Sequence, residues 1–275
     1  IGEINTVRKH LSRIKGGGLL AAARPAPVLT LAVSDVAGDV PDQIGSGPTV
    51  PDPTTFAETL SVLRKRGVAA SVPPAVRRHL ERGVAGDLPE TSKPDSGRNE
   101  GSEFRLVACL DDALEAARSE AELQGQRVRL LGPILYGEAR ALARSLSDRA
   151  RQLRDEGGGF LIAGGEPTVR VRGSGRGGRC QELALAFALE LAGEGGITAL
   201  FAGTDGSDGP TDAAGAFADA GTLERARARG VDPSAHLERN DSHPLLQATD
   251  DLYVTGPTET NVTDLALIHI RSRFG

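Results

Sequence analysis

A chain of 275 residues, 39% hydrophobic and 25% charged, has the composition of a folded globular protein, which excludes a disordered or fibrous class and leaves one large domain or two ordinary ones. A net charge of −5 argues against a nucleic-acid partner, which needs a basic face, while a local basic loop can still bind small anions. No apolar run approaches the roughly 20 residues that span a bilayer, and no basic-then-apolar leader opens the chain, so a cytoplasmic protein without membrane contact is expected.

The opening stretch IGEINTVRKHLSRIKGGG spaces Ile4, Val7, Leu11 and Ile14 as one helix stripe closed by a glycine stop. The chain has no methionine and starts at Ile1, so it is expected to lack the start of its reading frame. Val28–Val33 (VLTLAV) reads as a strand ending in SDVAGD, the type of strand-end turn where open α/β sheets place ligands. Asp52-Pro53 reads as N-cap and first helical residue of a helix carrying Phe56, Leu60 and Leu63 and stopped by Gly67. A second helix covers about Pro73 to Arg82, with Gly83 as its stop.

The polar run from Gly83 to Glu103 is the expected linker, dividing the chain into residues 1–103 and 104–275. Beyond it the spacing predicts a strand at Phe104–Cys109, a helix at Asp111–Gln124, a strand at Arg127–Leu131, and a helix from Glu138 to Arg154 with Ala139, Leu142, Ala143, Leu146, Ala150 and Leu153 on one face. Strands follow at Phe160–Ala163 and Thr168–Arg172, then a helix from Gly178 to Ala192 and a strand at Ile197–Ala202. Short helices near Gly221–Arg229, Ala235–Arg239 and Pro244–Ala248, a strand at Leu252–Val254 and a last apolar run complete an α/β pattern.

Two loops carry the strongest chemical signal. GSGRGGR, residues 173–179, joins a strand to a helix; Gly173, Gly175, Gly177 and Gly178 let backbone N–H groups converge on an anion, and Arg176 and Arg179 supply forked donors. It lacks the Lys-Ser/Thr ending of a Walker A loop and matches the dinucleotide fingerprint only loosely. TDGSDGPTDAAGA, residues 204–216, puts Asp205, Asp208 and Asp212 behind an apolar strand; such crowding calls for a counter-charge, and Mg²⁺ held with substrate phosphates is one. Asp35 and Asp39 at the end of the first strand read equally as caps or as function, and Lys15 equally as a phosphate contact or as a helix C-terminal cation. Cys109 and Cys180 form no CxxC pair and read as buried or incidental thiols, and the histidines show no ligand pairing.

Together NTVRKHLSRIKGG, SDVAGD, IGSGPTVPDP, GGEPTV, GSGRGGRCQELALA, GTDGSDGPTDAAGA and TGPTETNVTDL, in this order from Asn5 to Leu265, resemble the glycerate 2-kinases of the MOFRL-domain family. The resemblance implies an α/β fold: an incomplete Rossmann-like amino-terminal domain followed by an α/β MOFRL domain with a mixed sheet, the two facing a cleft. It implies ATP as phosphoryl donor, Mg²⁺ or another divalent metal, and D-glycerate phosphorylated at its 2-hydroxyl, with a homo-oligomer compatible with it. Arg179 and Asp205 are the implied catalytic pair, and Asp205, Asp208 and Asp35 the metal candidates. The substrate and phosphate candidates are Lys15, Ser46, Gly47, Thr49, Gly173, Gly175, Arg176, Gly177, Gly178, Glu182, Thr204, Gly206 and Asn261. Some members are labelled hydroxypyruvate reductases, which makes an NAD(P)H-dependent reductase the alternative, with a non-catalytic fragment as the third reading. The family's amino-terminal lysine falls upstream of Ile1, and Cys180, Glu259 and Thr263 stand where the pattern has Asn, Gly and Asn.

Overall fold

The helix expected at the start of the chain forms as α1 (Gly2–Leu11) in the computed structural model, which describes residues 1–94 and 102–273. The middle of the expected linker, 95–101, and the last two residues lie outside them. α1 belongs to the first of two compact units, Ile1–Val107 and Ala108–Gly275. Its inner face differs from the expected stripe: Val7 packs on the core, but Ile4 and Leu11 are exposed and Ile14 lies past the helix end, whereas Asn5, Thr6, Lys9 and His10 are buried. The polar face can go inside because its groups are paired. Lys9 Nζ meets Asp42 and, at 3.3 Å, Asp52; Ser46 Oγ donates to Asn5 at 3.0 Å; His10 Nε2 lies 3.3 Å from Glu90.

α2 (Gly18–Ala23), β1 (Val28–Val33), α3 (Phe56–Lys65), α4 (Pro74–Val84) and β2 (Ser102–Ala108) complete this unit, β1 and β2 forming a two-stranded sheet. α3 is capped by Thr55, with Glu58 closing a capping box, and not by Asp52. The Asp52 carboxylate is already engaged, accepting from Thr54 N at 2.9 Å, Thr54 Oγ1 at 2.7 Å and Thr91 Oγ1 at 2.9 Å. Nor does Gly83 stop α4, which runs through it. A Cβ there would fall 2.3 Å from the ring of Phe56, so this glycine admits the core residue that packs with Leu63 and Leu80.

The second unit contains α5 (Leu110–Leu123), β3 (Val128–Pro133), β4 (Gly137–Glu138), α6 (Ala139–Asp155), β5 (Gly159–Gly165), β6 (Pro167–Thr168), α7 (Arg179–Leu191) and β7 (Ile197–Gly203). β8 (Gly215–Asp219), α8 (Thr222–Ala228), α9 (Pro233–Glu238), α10 (Ser242–Thr249), β9 (Leu252–Tyr253) and β10 (Asp264–Ile270) follow. The main sheet has the order β3-β5-β10-β7-β8-β9. Among the described pairings of this sheet only β3 and β5 run parallel, so the sheet is mixed, as the resemblance implies. On one face α6 buries Ala139, Ala143, Leu146, Ala150 and Leu153 against a core that includes α7 residues Leu183 and Phe187. On the other, α5 sets Leu110 and Leu114 against Ile162.

Three expectations for this unit change. The strand at Thr168–Arg172 shrinks to β6, because Arg172 N and Gly173 N donate to the Asn240 side chain at 2.6 and 3.1 Å and join no ladder. β8 forms inside what reads as the end of the aspartate loop; its small residues give no strand pattern. The last apolar run becomes β10, which enters between β5 and β7. Among the described residues no helix is long and apolar enough to cross a membrane.

Candidate active site

β5 and β7 end, and β10 begins, at one edge of the sheet, where Asp264 stands in register with Gly165 and Gly203. Carboxyl ends of strands are where open α/β sheets place ligands. Asp264 is buried and takes Arg179, the first residue of α7, side-on through Nε and Nη2, the latter at 2.9 Å. The remaining edge of the guanidinium, Nη1, donates to Glu166 at 3.0 Å. Hydrogen bonding to Asp264 raises the Arg179 pKa, against burial, with the charges of Asp264 and Glu166 adding to the rise. Two carboxylates around one arginine leave this triad net negative, so Arg179 is not an unpaired cation waiting for phosphate.

The glycines of residues 173–179 have a different cause from the one expected. None has positive φ. A Cβ would strike the Arg239 carbonyl oxygen at Gly173 (2.6 Å) and Gly175 (2.6 Å), Ser242 Oγ at Gly177 (2.2 Å) and the Asp208 carboxylate at Gly178 (2.2 Å). Gly173, Gly175 and Gly177 therefore allow close packing against residues 239–242, and Gly178 against Asp208, and side chains fasten the loop there. Asp241 accepts from Arg176 N at 2.9 Å, and Asn240 also donates to Glu182 at 2.8 Å, which Arg140 pairs at 2.9 Å. Glu182 is thus buried and partnered, and Arg176 reaches the exposed Asp212 at 3.7 Å.

Asp208 closes the α7 start. Its buried carboxylate accepts from Cys180 N at 3.0 Å, Gln181 N at 2.8 Å and Gln181 Nε2 at 3.0 Å, capping the helix from a distant loop. Burial pushes its pKa up against those hydrogen bonds. Gln181 Oε1 in turn lies 2.9 Å from Nδ1 of the buried His243. Of the two metal candidates in this unit, Asp208 is spent on capping, which leaves Asp205 to offer an oxygen. Its Oδ1 accepts from Ser207 N at 2.9 Å. Among the described residues no group of three or more His, Cys, Asp and Glu side chains is arranged to hold a metal ion.

The aspartate loop and the TGPT turn are knitted together. Thr204 N donates to the Thr263 carbonyl at 2.9 Å, Val262 N to Thr204 Oγ1 at 2.8 Å and Thr258 N to the Asp205 carbonyl at 3.2 Å. Gly206 has φ +82°, and a Cβ there would fall 2.0 Å from the Gly256 carbonyl oxygen. Asn261 accepts from Thr263 N at 3.0 Å. Two of the three departures from the family pattern fall at left-handed backbone: Glu259 has φ 59° and Thr263 φ 71°. A β-branched residue is strained there, whereas Gly and Asn adopt it readily, and Thr263 Oγ1 is also buried without a partner. Thr263→Asn is expected to stabilise the chain by about 1 kcal/mol, measured as a higher denaturation midpoint in urea at unchanged slope.

In the first unit the structure zips two motifs that read separately in sequence. Gly16 N donates to the Ser46 carbonyl at 3.1 Å, Gly17 N to the Gly47 carbonyl at 2.8 Å, and Lys15 Nζ to the Gly45 carbonyl at 2.9 Å. Thr49 accepts from Thr30 of β1 at 2.6 Å, and Asp35 is exposed in the turn after β1. Both cysteines are buried thiols, and burial pushes the Cys180 thiol pKa up.

A cavity of about 660 Å³ opens beside the triad, lined by Glu166, Arg179, Glu182, Asn240, Thr168 and Pro210 among others. Sequence reasoning missed Glu166 and Asp264. Each is an acid flanking an apolar strand run, Glu166 directly after β5 and Asp264 opening β10, which is the signal that marks them.

A MOFRL family model matches residues 159–264, which contain the whole triad, and a domain-of-unknown-function model (DUF4147) matches residues 1–81. A glycerate kinase of Macaca fascicularis is 35% identical over 99% of this chain and 80% of its own length. The chain belongs to the MOFRL-domain glycerate kinase family. A putative hydroxypyruvate reductase of Agrobacterium vitis is 44% identical over 98% of the chain and 61% of that protein. The crystal structure of glycerate kinase from Thermotoga maritima, 40% identical, superposes with a TM-score of 0.86 over 98% of this chain and 63% of that one. The chain therefore spans about three fifths of the length of the first relatives it matches within the glycerate kinase family.

Proposed function

We propose that this chain carries part of the chemistry of a cytoplasmic glycerate 2-kinase, which transfers a phosphoryl group from ATP to the 2-hydroxyl of D-glycerate. One observation carries the reading: Arg179 is held between buried Asp264 and exposed Glu166 at the carboxyl edge of the sheet, facing a cavity of about 660 Å³, while Asp205 and Asp264 both lie close to Gly203. Phosphoryl transfer asks the protein for positioning and charge neutralisation, not for a covalent nucleophile. Asp264 fixes the guanidinium plane, and its Nη1 edge faces an anionic oxygen when Glu166 swings into solvent. In this reading Asp205 Oδ2, which has no partner among the described residues, is the acceptor for the substrate hydroxyl. A single open carboxylate suits Mg²⁺ brought with nucleotide phosphates, where the ion neutralises phosphate charge and Asp205 is the residue that would contact it.

The reductase reading has less support, because the loop at 173–179 matches the dinucleotide fingerprint only loosely. Incubation of the gene product containing this chain with D-glycerate, ATP and Mg²⁺, resolved by ³¹P NMR, is expected to yield 2-phosphoglycerate. NADH oxidation by hydroxypyruvate with no ATP consumed overturns the proposal.

A further inference from the structure

A second hollow lies on the face of the sheet away from α7, and the strand registers explain it. Leu265 stands opposite Ala202, Ala202 opposite Gly215 and Gly215 opposite Tyr253; one pair further along, Leu267 stands opposite Leu200. Residues directly opposite share a face, so the small Ala202 forms the floor, and Gly215 between it and Tyr253 adds no side chain. Leu265 walls it on one side, Tyr253 on the other, and Leu200 and Leu267 close its end. Thr204, Thr255 and Thr258 form the rim, and the hollow measures about 210 Å³. No side chain is accommodated at Gly215, where a Cβ would fall 1.9 Å from the Phe201 carbonyl oxygen. Tyr253 is held in place by an edge-to-face contact with Phe217, centroids 5.6 Å apart.

The volume is below the roughly 300–1,000 Å³ of sites that enclose a drug-sized ligand, which leaves room for one planar ring system with the rest of the ligand outside. Aliphatic walls with one pre-positioned aromatic ring suit a stacked heterocycle. The rim leads back to the triad. Gly203 and Thr204 line the hollow, and a Cβ at Gly203 would lie 3.0 Å from Asp205 Oδ1 and 3.3 Å from Asp264 Oδ1. A ligand seated here therefore leaves over the sheet edge beside those two carboxylates.

We infer that the hollow between Leu265 and Tyr253 is the seat of the nucleobase of the phosphoryl donor, an inference that rests on the kinase reading of the adjoining edge. The rim hydroxyls give it a specificity. Thr258 Oγ1 donates to the Thr204 carbonyl and Thr255 Oγ1 to the Gly256 carbonyl, so their protons are spent within the protein. The base is recognised by stacking and apolar contact, which every base offers, and ATP and GTP bind with affinities within about threefold of each other.

The chain contains two tyrosines and no tryptophan, which gives a direct readout. In the 275-residue chain carrying Tyr136→Phe, Tyr253 is the one tyrosine left, and adenosine, which has no phosphates, is expected to quench it saturably. Leu267→Phe, which fills the hollow, is expected to abolish that quenching while leaving the thermal midpoint within a few degrees. In equilibrium dialysis Tyr253→Leu is expected to weaken ATP binding about tenfold and leave tripolyphosphate binding unchanged. If ATP binds but neither adenosine quenching nor the Tyr253→Leu loss is seen, the base sits elsewhere and the inference falls while the kinase reading stands. Adenosine quenching that Leu267→Phe does not touch overturns it as well. Adenosine quenching lost in Leu267→Phe, from a gene product that makes no 2-phosphoglycerate, keeps the nucleoside site and removes the kinase.

Discussion

Arg179→Ala is expected to lower the stability of the Ala108–Gly275 unit by about 3 kcal/mol, the low end of the range for breaking a buried pair. The low end applies because Arg179 is partly exposed, with 35% of its side-chain area open, while Asp264 has 2%. Removing the guanidinium strands Asp264 as a buried carboxylate between two strands. Asp264→Asn in the same chain should therefore return most of the loss, and a double-mutant cycle read by urea denaturation checks it. A cycle with no coupling refutes a structural pairing. In the proposed kinase the same substitution should cut turnover by orders of magnitude. Arg179→Lys separates the two roles, since lysine keeps the charge and loses the side-on fork. It should recover part of the stability and little of the turnover.

Lys9→Met is expected to destabilise the Ile1–Val107 unit by about 3–5 kcal/mol. Lys9 and Asp52 both have side chains that are 0% exposed, so neither charge has solvent to fall back on. Burial works to raise the Asp52 pKa, but bonds from the Thr54 hydroxyl and amide, the charge of Lys9 and the Thr91 hydroxyl outweigh it and hold it below the usual carboxylate range. A folded-state pKa below the unfolded one gives stability that is complete above the unfolded value and lost as pH falls through the folded one. Wild type should thus keep its stability down to the ordinary carboxylate range and lose it below. Without Lys9 the Asp52 pKa rises, protonation then relieves the buried charge, and the deficit of Lys9→Met should shrink as pH falls from 7 toward 4. Thermal midpoints across that range, with Asp52→Asn added as a second substitution, test this. A deficit that is constant with pH would show that Lys9 acts through packing alone.

These two residues illustrate what the sequence left illegible. Lys9 sits in a stretch whose apolar spacing selects Ile4, Val7, Leu11 and Ile14 as the inner face, yet Lys9 is buried. Its partners, Asp42 and Asp52, lie 33 and 43 residues away, and no local pattern announces a pair at that separation. Asp264 and Arg179 are 85 residues apart and meet only because β10 inserts between β5 and β7. Gly83 and the glycines of 173–178 read as a helix stop and an anion cradle. They are instead places where another chain segment comes too close for a Cβ. Composition cannot distinguish the two uses of glycine, because both need the same missing side chain.

The sequence by itself determined the α/β class, most helices and strands to within a few residues, and the family, because periodicity and short motifs are local properties of the chain. It also pointed to the loop from Thr204 to Ala216. Only the tertiary structure decided which of its aspartates is open, that Asp208 caps α7 while Asp205 keeps an oxygen free, since that depends on which distant amides meet which carboxylate. The same holds for the hollow beside Tyr253. It exists because small and large side chains come into register across four strands, and register is set by pairing between segments far apart in sequence.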